Sequence, residues 1–184
     1  MGKITVWTKQ NKNILAVLAE KGRYVVKKEY IRAENEEHTA IILRAYDWLA
    51  SHGPNVNRKP IDVKYPVWVS FDKARNYIAG KNEVLLTLQV DEADITSINL
   101  AKWGMILNYS YIPANEEDAQ KHLAMMNAYG INDAEAVMTL FYPEIKQEIV
   151  QSWSRLFDPK VCVGNDLKYG NIWEIKNEWV INGI

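Results

Sequence analysis

The sequence predicts an α+β fold: a small mixed or antiparallel sheet, made from N- and C-terminal strands, together with a block of helices. Strand-like segments lie near both ends of the 184 residues, and residues 113–157 have helical periodicity. Hydrophobic residues make up 48% of the chain, enough for one sizeable core. We therefore expect residues 1–184 to form a single α+β domain with a helical insertion at residues 113–157.

The chain opens with a strand and a short helix. Residues alternate between two faces over Lys3–Thr8, as in a strand. The helix that follows is expected to be capped by Asn11 or Asn13 and to end at Gly22. Acidic residues at 33–37 then lead into a second helix, which ends before residues 52–54.

Two further strands are expected in the middle of the chain. Residues 65–71 (YPVWVSF) and 82–90 (NEVLLTLQV) are rich in β-branched, aromatic and aliphatic residues, and residues 53–63 between the second helix and the first of these strands resemble a loop. A short helix is predicted over residues 98–107.

The remaining elements follow from capping residues and β-rich segments. Asn115 and Asn132 are expected to cap two helices, and Pro143 suits the first turn of a third that runs to Phe157. Strands are predicted at residues 161–163, 171–175 and 179–181.

Charge and composition argue against several classes of partner. Lys and Arg number 22 against 23 Asp and Glu, so a net charge of −1 does not favour nucleic-acid binding. No apolar stretch approaches the roughly 20 residues that span a bilayer, so no membrane partner is expected. A single cysteine, Cys162, fits a reducing, cytoplasmic location, and its valine neighbours predict a buried, inert thiol.

The usual metal and nucleotide motifs do not occur in the sequence. The three histidines are widely separated, so no metal site is expected. The patterns GxGxxG, GxxxxGK[ST] and GxSxG are absent. The acidic segment 91–94 is a cation site or, more commonly for such a cluster, a helix cap. The basic residues between 23 and 32, interleaved with tyrosines, are a phosphate or base site or else a solvated surface.

Aromatic residues with a polar group are unusually frequent, with 7 Trp and 10 Tyr against 3 Phe. Trp48 and Trp153 fall on predicted helices and are expected in the core. Three more of the seven, Trp7, Trp68 and Trp173, fall on predicted strands and are the ones that could border a cleft. On a strand, the residue after Trp173 shares a face with Ile172, so Glu174 is either a solvated edge carboxylate or one held in a cleft.

Six short motifs occur in one order along nearly the whole chain: VWT at 6–8, AYDWL at 45–49, KYPVW at 64–68, EVLLTLQV at 83–90, SWSRLFD at 152–158 and IWEI at 172–175. Together they resemble the bacterial family known as domain of unknown function 3841. The segment ITSINLAKW at 95–103 lacks the acidic residues usual at this place in that family. The family name implies no activity.

A weaker resemblance is to the ADP-ribosyltransferase-like fold, which also begins with a strand and short helix and carries a glutamate on a late strand. By position, this resemblance implies an NAD site formed by Thr8, with Trp7, on the first strand and by Trp68 or Ser70 on the next. It implies Glu174 as the catalytic carboxylate, which would stabilise a developing oxocarbenium ion. The first-strand His or Arg common in that fold is replaced here by Thr8.

Two functions are therefore expected as alternatives. The first is an NAD-utilising, ADP-ribosyltransferase-like protein of bacterial or mobile-element origin, with a small-molecule nucleotide as its ligand. The second is a non-enzymatic binding or inhibitor protein from a phage or other mobile element, which would occlude a protein or nucleic-acid surface. The first requires Thr8, Trp68 or Ser70, and Glu174 to converge on one cleft.

Overall fold

A computed structural model describes residues 2–27, 39–76 and 80–183. The acidic segment 33–37, and the basic residues 28–32 considered above, lie outside the described residues. Contacts divide the chain into two units, residues 1–97 with 168–184 and residues 98–167. The helical stretch predicted at 113–157 falls within the second unit. That the chain is a single domain stays a prediction.

A six-stranded sheet organises the fold, as the predicted α+β class requires. The strands are β1 (Lys3–Asn11), β3 (Val67–Ser70), β4 (Glu83–Asp91), β5 (Thr96–Asn99), β6 (Lys168–Ile172) and β8 (Val180–Gly183). Their order in the sheet is β5-β6-β3-β1-β4-β8, and β1 pairs antiparallel with both β3 and β4. The remaining registered pairs, β3 with β6 and β4 with β8, are also antiparallel.

One face of the sheet is apolar and buried. The β1–β4 register places Val6 opposite Leu88 and Thr8 opposite Leu86, so these residues share that face. The helix α1 (Asn13–Lys21) contributes Ile14 to the same core. The full core cluster is Val6, Ile14, Leu18, Val67, Val69, Val84, Leu86, Leu88, Val90, Ile172 and Ile175.

The opening strand and helix form as predicted, but the strand runs three residues beyond the predicted Thr8, to Asn11, and the helix cap differs. Gly22 ends α1 in the left-handed conformation, with φ of 69°, which glycine adopts without strain. The N-cap is Lys12, with no side-chain capping bond, instead of Asn11 or Asn13. The Asn11 carboxamide oxygen accepts a hydrogen bond from the Asn13 backbone N–H, so it forms a turn before the helix.

Two elements complete the unit around the sheet. The helix α2 (Thr39–His52) buries Leu43 and Trp48, and Leu43 packs with Tyr65. A short ribbon joins β2 (Arg23–Tyr24) to β7 (Ile175–Lys176), pairing Tyr24 with Ile175. Single 3-10 turns cover Val56–Arg58, Lys73–Asn76, Glu92–Asp94 and Asn177–Trp179.

Several predicted elements have different bounds or do not form. Residues 98 and 99, predicted as helix, end β5, because the Asn99 side chain caps the helix α3 (Leu100–Leu107). Residues 161–163 form no strand. The last strand starts at Val180, after a 3-10 turn, instead of at Trp179.

The second unit contains the predicted helical block. Asn115 and Asn132 cap α4 (Glu116–Tyr129) and α5 (Asp133–Met138) through their side chains, as the sequence predicts. Pro143 begins α6 (Pro143–Ser152), and a 3-10 turn then covers Trp153–Phe157. The α-helix therefore ends five residues before Phe157, where the prediction had placed its end.

The core of the second unit includes a buried polar network. His122 is 9% exposed and stacks on Tyr111 with ring centroids 4.0 Å apart. Its Nε2 lies 2.7 Å from Asp133 Oδ1, and the Tyr111 hydroxyl donates to Asp118 at 2.9 Å. The buried Lys102 ammonium donates to the backbone carbonyls of residues 155 and 158. These side chains form hydrogen bonds with one another and with the backbone, as polar groups buried in a protein core usually do.

The predicted burial is confirmed for two tryptophans and wrong for the cysteine. Trp48 and Trp153 are 8% and 3% exposed, which confirms both as core residues. The prediction of a buried Cys162 is wrong, because the thiol is exposed. The neighbouring Val161 is buried, because successive side chains of an extended segment point in opposite directions. Of the described helices, none combines the length and apolar character needed to cross a bilayer.

Candidate functional site

A cavity of about 600 Å³ opens beside β1, within the first unit. Its volume falls in the range of ligand pockets, roughly 300–1,000 Å³. Segments from β1, α1, β2, α2 and β3 surround it. The lining residues are Trp7, Thr8, Lys9, Gln10, Asn11, Asn13, Ile14, Val17, Tyr24, Val26, Tyr46, Pro66, Val67, Trp68, Ser70, Glu83 and Tyr169.

The cavity lies where β1 and β3 separate. β1 pairs with β4 along all nine of its residues, whereas its register with β3 consists of one pair, Trp7 with Ser70. Residues 7–11 of β1 and 66–68 before and in β3 then line the space between the strands. This position explains why Trp7 and Thr8, on opposite faces of β1, line the same cavity.

Thr8 links the two separating strands. It is 2% exposed, and its hydroxyl donates to the Trp68 backbone carbonyl at 2.8 Å. The same oxygen accepts a hydrogen bond from the Gln10 side-chain amide at 2.8 Å. Thr8 therefore fixes the position of Trp68 and orients Gln10, instead of presenting an unengaged hydroxyl to the cavity.

Five aromatic side chains line the cavity: Trp7, Tyr24, Tyr46, Trp68 and Tyr169. The Trp68 indole N–H donates to the Tyr46 hydroxyl at 2.7 Å, which fixes one pair of rings. Tyr46 also meets Tyr65 edge to face at 5.9 Å. Rings held in this way offer flat, polarisable surfaces to a planar ligand at little cost in side-chain entropy.

Polar groups occupy the other part of the lining. Lys9 Nζ lies 3.3 Å from Glu83 Oε2, and both side chains are more than a third exposed. The Gly80 backbone N–H donates to the Glu83 carboxylate at 2.7 Å. That hydrogen bond, more than the neighbouring Lys9 ammonium, holds the pKa of Glu83 below its usual range. Glu83 is the carboxylate among the described lining residues, and it is ionised at neutral pH.

Ser70 has a structural role at the edge of the cavity. Its side chain is 1% exposed, its hydroxyl donates to the Asp72 carbonyl at 2.7 Å, and its oxygen accepts from the Asp72 N–H. These bonds form the turn after β3. All four residues predicted to hold a cofactor, Trp7, Thr8, Trp68 and Ser70, thus line one cavity.

Glu174 lies elsewhere, and its predicted strand position is wrong. The strand stops at Ile172, and residues 173 and 174 form a bend before β7. The Trp173 indole N–H donates to the Asn55 carbonyl at 2.9 Å, which draws the chain out of the sheet. Trp173 consequently does not line the aromatic cavity, whereas Trp7 and Trp68 do.

Cations surround the Glu174 carboxylate. Its Oε2 lies 3.1 Å from Arg23 Nη1, its Oε1 lies 3.8 Å from Lys176 Nζ, and the side chain is 12% exposed. Arg23 also pairs with Asp62. Glu174 lines a second cavity of about 490 Å³ together with Lys21, Gly22, Arg23, Lys176, Asn177 and Glu178. The structure therefore brings together the four predicted binding residues but not Glu174. The convergence with Glu174 that the NAD hypothesis requires is not met, so that hypothesis needs another carboxylate in the cavity.

Three lining tyrosines were missed as site residues from the sequence. Tyr46 stands inside the AYDWL motif on a predicted helix, where the sequence indicates no ligand contact. Tyr24 was noticed only as part of a basic cluster, and Tyr169 fell in no recognised pattern. These tyrosines come together because of the strand order and the position of the helix. Local sequence periodicity predicts neither of these.

The described residues offer little for a metal ion. They contain no group of three or more His, Cys, Asp or Glu side chains placed to hold one. In the acidic segment, the Asp91 carboxylate accepts from the Ala93 backbone N–H and caps the turn Glu92–Asp94. The capping alternative for this segment is the one that the geometry favours.

Comparison with known proteins gives one match. The family model described as "Domain of unknown function (DUF3841)" matches residues 5–181 of the chain. No curated protein and no solved structure matches this chain. The family match covers both units and all six motifs found along the sequence. The chain therefore belongs to the family described as domain of unknown function 3841.

Proposed function

We propose that this chain is a cytoplasmic, NAD-utilising protein of the ADP-ribosyltransferase-like type, from a bacterium or a mobile element. One observation carries the proposal: Trp7 and Thr8 from one strand and Trp68 and Ser70 from another, about sixty residues on, line a single cavity of about 600 Å³. These were the positions that the sequence resemblance implied for the cofactor.

The lining has the chemistry that a dinucleotide needs. Planar rings stack on aromatic side chains, and the cavity supplies five of them. Ribose hydroxyls bind amide side chains, which Gln10, Asn11 and Asn13 provide. Lys9 is the cation among the described lining residues, so it would meet the phosphates. NAD would supply a glycosidic bond to nicotinamide, a leaving group that departs without its positive charge.

Glu83 is the carboxylate that we assign to the chemistry of this cavity. An ionised carboxylate stabilises positive charge that develops at a neighbouring ribose carbon. The low pKa of Glu83 keeps it ionised, and the Gly80 N–H and Lys9 fix its position. Glu174 lines the other cavity, where it pairs with Arg23 and Lys176, so Glu83 takes its place as the proposed catalytic carboxylate.

Calorimetric titration of NAD into the purified chain tests the binding step. We expect saturable binding that Trp68→Leu weakens by about tenfold or more, because base stacking on an aromatic ring contributes roughly 1–3 kcal/mol. Trp173→Leu is the matched control, since this tryptophan lies outside the aromatic cavity. Absence of NAD binding to the folded wild-type chain at millimolar concentration would overturn the proposal.

Nicotinamide release, measured by chromatography, tests the catalytic step, in which the bond to nicotinamide breaks and water or an acceptor nucleophile bonds to the same ribose carbon and gives up a proton. Glu83→Gln keeps the size of the side chain and removes its charge, so we expect release to fall at least a hundredfold while NAD still binds. Glu174→Gln is the comparison variant, with release close to that of the wild type. The reverse result, loss in Glu174→Gln and activity in Glu83→Gln, would return the catalytic role to Glu174.

A further inference from the structure

An exposed apolar loop joins α5 to α6 in the second unit. Leu140 is 90% exposed and Phe141 is 83% exposed, and Met138 before them is 56% exposed. We call residues 138–141 the apolar loop. On α4, Leu123 and Tyr129 are also exposed, by 60% and 58%. Neighbouring large apolar side chains that are both exposed, as Leu140 and Phe141 are, are typical of a protein interaction site.

The apolar loop is held at both of its ends. Val137 before it and Ile145 after it are 3% and 7% exposed, so the flanking helices are packed into the core. The Thr139 backbone N–H donates to the Glu135 carbonyl, which closes α5. Tyr142, the next residue after the loop, meets Tyr129 of α4 edge to face at 6.1 Å. The two large side chains between these supports are thus presented outward on a fixed base.

The surroundings of the apolar loop are acidic. Residues 98–167 contain nine Asp or Glu against five Lys or Arg, an excess of four negative charges. Of the five cations, Lys102 is buried, Lys121 pairs with Glu117, and Arg155 pairs with Asp118. Two exposed carboxylates lie within five residues of Leu140 or Phe141 along the chain.

These carboxylates belong to Glu135 and Glu144. Glu135 lies one helical turn before Met138, and Glu144 lies three residues after Phe141, so the chain holds it within roughly 11 Å of that residue. An acidic rim around apolar anchors repels nucleic acid and anionic membranes and attracts positive charge.

We propose that the apolar loop is a docking site for a basic amphipathic helix of another protein. Leu140 and Phe141 would contact the apolar face of that helix, and Glu135 and Glu144 would pair with its Lys or Arg side chains. Burying two large apolar anchors gives affinity, whereas the charges select the partner and speed its association. This inference is independent of NAD binding, because all of its residues lie in the second unit.

Fluorescence anisotropy with two labelled peptides tests the proposal. The probes are a 20-residue Leu/Lys amphipathic helix and a Leu/Glu peptide of the same length and pattern. We expect the Leu/Lys peptide to bind and the Leu/Glu peptide not to bind. The double variant Leu140→Ser/Phe141→Ser should weaken binding at least tenfold, and Ile61→Ser, which alters an exposed apolar residue of the other unit, should leave it unchanged.

The charge contribution has its own variant and control. Glu135→Gln/Glu144→Gln should weaken binding and reduce its dependence on salt, whereas Glu20→Gln, in the first unit, should do neither. Equal binding of both peptides, or no effect of the Leu140/Phe141 variant, would overturn the proposal. So would binding of vesicles containing anionic lipid, or self-association in the ultracentrifuge, if the Leu140/Phe141 variant abolished it.

Discussion

Thr8→Val tests the role of the hydroxyl that joins the two separating strands. Valine has nearly the same shape as threonine, so the packing of this 2% exposed residue changes little. What disappears is the 2.8 Å bond to the Trp68 carbonyl and the 2.8 Å bond from the Gln10 amide. Loss of a partner from a buried polar group costs about 1–3 kcal/mol.

We therefore expect Thr8→Val to lower the free energy of unfolding by about 2 kcal/mol, which for a chain of this size lowers Tm by about 4–8 °C. Thr8→Ser is the matched control, because it keeps the hydroxyl and removes one methyl group, worth about 0.8 kcal/mol. Urea unfolding followed by circular dichroism measures both variants. A Thr8→Val protein as stable as the wild type, or a Thr8→Ser protein that is the less stable of the two, would refute the assignment.

Three further predictions concern stability elsewhere in the chain. Gly170→Ala should destabilise by about 1–3 kcal/mol in thermal melts, since a Cβ there would stand 2.7 Å from a Val69 methyl group in the core; unchanged Tm would contradict the packing. Lys102→Met should lower the free energy of unfolding by about 3 kcal/mol, because the buried ammonium donates to two backbone carbonyls that would lose this partner; a neutral effect in urea unfolding would argue against those bonds. Burial raises the pKa of Asp133, but its hydrogen bond with His122 and other contacts outweigh burial and lower the pKa overall. The stability that the ionised Asp133 contributes is therefore present above about pH 4 and is lost as the pH falls further. The free energy of unfolding of Asp133→Asn should consequently fall less than that of the wild type between pH 5 and 2.

Local sequence signals predicted most elements and their caps. Asn115 and Asn132 precede helices with acidic residues in the first turn, and both side chains cap as expected. Gly22 and the alternation of β1 were also sufficient. These features depend on neighbours within four residues, which is the range over which a sequence pattern carries information about backbone geometry.

Long-range contacts account for what the sequence did not predict. The segment IWEI has the composition of one strand, but the bond from Trp173 to Asn55, 118 residues away, and the ion pair of Glu174 with Arg23 interrupt it. A local pattern contains neither partner. For the same reason the four predicted binding residues were found on their strands, whereas the carboxylate that shares their cavity, Glu83, was not recognised.

Photolabelling tests whether NAD binds in the cavity between β1 and β3, as we propose. Irradiation of the chain with an azido-adenine analogue of NAD, followed by peptide mapping, reports which residues lie against the ligand. We expect labelling within residues 7–17 or 66–70 that excess NAD suppresses. Labelling confined to residues 174–178, next to the second cavity, or spread over the chain and insensitive to NAD, would contradict it.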